Sequence, residues 1–101
     1  MEAIQFIGLN ELEQTDQDMV NTITTEYYGK IQRALKNITS LVIHIKPHAK
    51  EGHRHRYEVH VRAVAPTRIF ESKTEDWDLA VSMHKVFKDL ESEIGHAFHD
   101  N

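Results

Sequence analysis

The sequence contains no cysteine in its 101 residues, which excludes a disulfide framework, a thiol nucleophile and a thiolate metal site. Proline occurs twice and glycine four times, too rarely to interrupt regular structure or to build long linkers. No apolar run approaches the roughly 20 residues needed to span a bilayer. The opening stretch from Met1 to Gly8 has neither a basic start nor a continuous apolar core, so no export signal is read there. These absences predict a soluble, non-exported protein with no membrane partner, and the lack of cysteine fits a reducing, cytoplasmic location. Lysine and arginine are missing altogether from residues 1–29, which carry six acids.

The missing bases are concentrated further on. Between Lys30 and Lys73 there are ten Lys or Arg against three acids, a balance of +7, while residues 74–101 hold two bases and seven acids. A mildly acidic total of -4 therefore conceals a basic centre, and a polyanion responds to that local field rather than to the total. With 40% hydrophobic and 28% charged residues, the chain reads as one folded domain over residues 1–101, its last residues from about 96 frayed.

The apolar pattern supplies the elements. Ala3–Leu9 reads as a first strand limited by Gly8 and Asn10. Thr15 or Asp16 caps a following helix, in which Val20, Ile23, Tyr27, Ile31, Ala34 or Leu35, and Ile38 recur at spacings of three and four. From Leu41 the period changes to two. Leu41, Ile43 and Ile45 share one face, with His44 and Lys46 on the other. Pro47 predicts an end to pairing, and 49–53 a turn. Tyr57, Val59, Val61 and Ala63 alternate in a third strand, and a short fourth runs from Ile69 to Lys73. Thr74-Glu-Asp reads as the cap of a last helix carrying Ala80, Met83, Phe87, Leu90, Ile94 and Ala97 on one stripe, with Trp77 and Val81 beside them. The expected fold class is α+β: a β-α-β-β-β-α two-layer sandwich with both helices on one face of a four-stranded sheet. The other face would display His44, Lys46, Arg56, Glu58, His60, Arg62, Glu71 and Lys73.

Three chemistries compete for this centre. In nucleic-acid backbone binding, Lys46, Lys50, Arg54, Arg56, Arg62, Arg68 and Lys73 displace counterions from phosphates, with Lys30, Arg33 and Lys36 extending the patch. A solvated charged face is the bland counterpart, and the three bases of the first helix also suit the negative end of its dipole. Few aromatics fall on exposed strand positions, which argues against a single-strand stacking platform. A metal site would draw on His48, His53 and His55, yet no tetrahedral ligand set can be drawn, so no metal and no cofactor is assigned. The same imidazoles reinforce the basic patch when protonated. Catalysis finds no nucleophile elbow, no phosphate-cradling glycine loop and no paired acid and base, so the chain reads as non-enzymatic, without a small-molecule substrate.

Residues from Val64-Ala-Pro-Thr-Arg-Ile-Phe-Glu-Ser-Lys-Thr-Glu-Asp-Trp to Met83, and then Val86–Ile94, resemble the ribosome hibernation-promoting factor and ribosome-associated inhibitor family. Glu75 and Asp76 match an acidic pair at the start of that family's closing helix, Trp77 takes a Met position, Ala80 and Val81 an Ala-Ile pair, and Asp89-Leu90-Glu91 a Lys-Leu-Glu. The chain departs from the pattern at Asp78, where Tyr is usual, at Asp89, where Lys is usual, and in its His/Arg-rich hairpin. It resembles a divergent short form, without the extension by which longer members pair ribosomes. The resemblance implies a fold similar to double-stranded RNA-binding domains and a partner in the small ribosomal subunit and its ribosomal RNA. It also implies a function under stress or in stationary phase, occupying the mRNA and tRNA channel. By this resemblance Lys30, Arg33 and Lys36 correspond to a basic region of the family, and Lys85 and Lys88 to lysines of its closing helix. A monomer or weak dimer is expected, and the alternative reading is a protein-interaction or metal-responsive module built on the histidine hairpin.

Overall fold

Seven elements follow one another in the computed structural model, which describes residues 3–35, 37–38, 40–52 and 54–99, with only the backbone described at 48–51, 54, 98 and 99. β1 (Ile4–Ile7) leads through a single 3-10 turn (Leu9–Glu11) into α1 (Gln14–Leu35), then β2 (Ser40–Glu51), β3 (Arg54–Val64), β4 (Ile69–Asp76) and α2 (Leu79–His99). The sheet order is β1-β2-β3-β4. β1 runs parallel to β2, with Ile4 beside Leu41 and Ile7 beside His44, and the other pairs are antiparallel. The α+β sandwich expected from the pattern is the fold observed.

The reason lies in one shared apolar face. Leu41, Ile43, Ile45, Val59, Val61, Ala63 and Phe70 are buried on the same side of the sheet, and Val20, Ile23, Tyr27, Ile31 and Leu35 of α1 with Met83, Val86, Phe87, Leu90 and Ile94 of α2 close over them in one cluster. Each fully buried large side chain contributes about 1.5–3 kcal/mol relative to exposure. The helices touch through Tyr27, whose ring stacks on Phe87 at 4.9 Å and 6°. Its hydroxyl lies 3.1 Å from Nδ1 of His84. Burial pushes the Tyr27 hydroxyl pKa up, aided by Glu91 and Glu26. The result is a plate measuring 49 × 30 × 18 Å, and among its described residues no helix is long and apolar enough to cross a membrane.

Several boundaries differ from the sequence reading, each for a physical reason. α1 begins at Gln14, and the Glu13 carbonyl accepts its first bond from Gln17 N–H at 2.9 Å, so Thr15 and Asp16 lie inside the first turn rather than capping it. Ile38 falls beyond the helix end, packed against the core, and Leu35 rather than the exposed Ala34 completes the stripe. Pro47 does not end pairing. β2 continues opposite β3 to Glu51 with a register shift between Pro47 and Ala49. β1 reaches only His44, so β2 has an open side from Ile45 onward and a missing donor there is tolerated. Thr74, Glu75 and Asp76 belong to β4, paired with Val59, Glu58 and Tyr57, and the helix opens at Leu79. Its cap is Asp78, whose Oδ1 accepts from Val81 N–H at 3.1 Å. Thr74 instead donates its hydroxyl to the Ser82 carbonyl at 3.0 Å, tying β4 to the first turn of α2. α2 continues through Gly95 to His99, and Val86 is buried while Val81 remains 42% exposed. Gly8 sits at φ 88, and a Cβ there would collide with the Ile45 carbonyl oxygen.

Candidate nucleic-acid interface

Alternation in the strands places His44 and Lys46 of β2, Arg56, Glu58, His60 and Arg62 of β3, and Glu71, Lys73 and Glu75 of β4 on the sheet face away from both helices. Register then sets the neighbours: His44 stands opposite His60, Lys46 opposite Glu58, Arg62 opposite Glu71, and Glu58 opposite Glu75. Arg56 Nη2 lies 3.2 Å from Glu75, Lys73 Nζ 3.6 Å from Glu58, and His60 Nε2 2.8 Å from Glu71. Four bases, Lys46, Arg56, Arg62 and Lys73, thus share the face with three carboxylates. With neutral imidazoles the balance is +1, far below the +7 of the linear segment. Lys46 and Arg62 make no ion pair with a described residue and stand exposed.

The remaining bases are dispersed. Lys30 on α1 lies over the Tyr27 ring at 4.9 Å, and Arg33 is exposed near the end of the same helix. Arg68, in the turn from β3 to β4, lies over the Phe70 ring at 4.9 Å. It borders a cleft with Leu35 and Asn37 at the end of α1, so this turn and the basic end of α1 form one pole of the molecule. Lys85 and Lys88 are exposed on α2, and Lys85 lies 3.3 Å from Asp76. Lys36 falls outside the described residues, and Lys50 and Arg54 are described by their backbone alone, at the end of the β2–β3 hairpin. The nine predicted bases whose side chains are described therefore divide between the sheet face, the α1 pole and the outer side of α2.

The histidines do not converge. His53 lies outside the described residues and His48 has only its backbone described. His55 turns to the helix side of β3, tilted against Tyr57 at 6.0 Å, in a cleft bordered by Glu11, Glu13 and Asp16. Burial, then Asp16 and Glu13, push the Tyr57 hydroxyl pKa up. Among the described residues no group of three His, Asp or Glu could hold a metal. Sequence reasoning set Glu75 at the start of the last helix rather than on the sheet face. Continuing the β4 alternation past Lys73 would have placed it beside Arg56, but Thr74-Glu-Asp reads equally as a helix start.

No family model matches the chain, and no curated protein matches its sequence. Among solved structures, the N-terminal domain of Protein Y from Thermus thermophilus superposes with a TM-score of 0.57 at 16% identity, over 93% of this chain and 93% of that one. The chain thus has the fold of the Protein Y N-terminal domain, a β-α-β-β-β-α sheet covered on one side by two helices.

Proposed function

We propose that the protein is a non-enzymatic, cytoplasmic factor that binds the small ribosomal subunit and occupies its mRNA and tRNA channel. The observation that carries this reading is the uncovered sheet face, where Lys46, Arg56, Arg62 and Lys73 stand with His44 and His60 on a surface that neither helix approaches. A helix-backed sheet bearing guanidinium and ammonium groups suits phosphate contact, and shape-reading modules meet structured RNA largely through phosphates and 2′-hydroxyls. Support also comes from the residues between Val64 and Ile94 that resemble the hibernation-factor family, and from an element order equal to the one that resemblance implies. The interleaved carboxylates do not oppose it strongly. Surface ion pairs are worth about 0–1 kcal/mol each, so a phosphate can take the place of the partly exposed Glu75 at low cost.

Co-sedimentation with purified small subunits across a salt series tests this. Association should weaken steeply with salt, log K falling by roughly one unit per decade of salt for each phosphate neutralised. The Arg56→Glu/Arg62→Glu variant should bind at least about tenfold more weakly. Failure to sediment with subunits at low salt would remove the reading.

A further inference from the structure

We propose that the open edge of β4 accepts a fifth strand, supplied by an extended Lys- or Arg-bearing segment of a partner protein. β4 ends the sheet order and pairs with β3 along all of Ile69–Asp76. Among the described residues no strand pairs with its other side. Natural edges are blunted by proline, a bulge, a covering loop or charged side chains, and β4 carries only the last, in Glu71, Lys73 and Glu75. This one has no proline, and its pairing with β3 runs without a register shift. Its N–H and C=O groups repeat at regular strand spacing, the template used in strand addition.

The walls beside that edge select the occupant. Glu71 and Ser72 of β4 face Asp89, Ser92, Glu93 and His96 of α2 across one groove. Asp89 and Glu93 make its α2 wall acidic and no Lys or Arg lines it, so it repels the polyanion suited to the sheet face and favours a cationic chain. Alternation refines the match. A paired strand sets residues opposite Glu71, Lys73 and Glu75 on the outer face, so bases flanking an acid complement it, while the residue opposite Ser72 points toward Asp89 and Glu93. A second copy fits less well. A two-fold β4–β4 pair brings the Asp89 and Glu93 flanks of both α2 helices side by side, like charge against like.

The probe is an acetylated, amidated peptide Thr-Lys-Thr-Glu-Thr-Lys-Thr, with binding read by amide chemical-shift changes at 15N-labelled full-length protein. Shifts should concentrate at residues 69–76. N-methylation of alternate peptide residues should weaken binding about tenfold through lost main-chain bonds. The exposed Glu71→Lys/Glu93→Lys variant, its fold checked by unchanged circular dichroism, should weaken it by about tenfold or more. Shifts centred elsewhere, equal binding of the N-methylated peptide, or dimers in sedimentation equilibrium that the peptide dissociates would each overturn the proposal. It does not rest on the ribosomal reading, because Arg56→Glu/Arg62→Glu, which should weaken ribosome association, should retain or tighten peptide binding.

Discussion

Asp76 closes β4 and orients the turn into α2. Its Oδ1 accepts from the Asp78 backbone N–H at 2.9 Å and its Oδ2 lies 3.3 Å from Lys85 Nζ. The Asp78 amide holds the carboxyl below its usual pKa, partial desolvation works against this, and Lys85 adds to the lowering. A carboxyl whose folded pKa is depressed contributes stability above its unfolded value, near 4, and loses it as pH falls through the folded value. Asp76→Asn should therefore lower the urea midpoint at pH 7, with the deficit shrinking as pH falls below about 4. A deficit independent of pH would mean that charge is not the cause. Gly8 supplies a second test at this scale. Alanine there faces both a left-handed φ and the Ile45 carbonyl, so Gly8→Ala should cost about 1–3 kcal/mol in chemical unfolding.

Among the elements, α2 links the sheet to α1. Phe87 is fully buried and stacked on Tyr27, so Phe87→Ala should lose about 3–5 kcal/mol, whereas Tyr27→Phe, which keeps the stack and removes only the hydroxyl near His84, should lose about 0.5–1.5 kcal/mol. Comparing the two thermal unfolding curves separates packing from hydrogen bonding at the helix contact. The elements were legible in the sequence wherever one face is buried. Leu41-Val-Ile-His-Ile and Tyr57-Glu-Val-His-Val alternate because their odd positions meet the helices. The junction after Lys73 was not legible. Thr-Glu-Asp satisfies a helix start and an outer strand face equally well, and only pairing with Tyr57, Glu58 and Val59, distant in the chain, decides between them. The same holds for the candidate interface: the bases can be read off the sequence, but which carboxylate meets each base depends on cross-strand register.

At the scale of the whole molecule, charge is sorted by surface. The sheet face mixes four bases with three acids, while the groove beside β4 is acidic. If the sheet face meets ribosomal RNA, Glu75→Gln should tighten association severalfold by freeing Arg56 and removing a negative charge. An unchanged affinity in co-sedimentation would transfer the contact to the α1 pole, where Arg33 and Arg68 lie.

The plate is only 18 Å through its thinnest direction, and its two broad sides are a bare sheet and a pair of helices. If the protein occupies the channel proposed above, a body of that form would act as a shim, closing a narrow gap by its breadth rather than by chemistry.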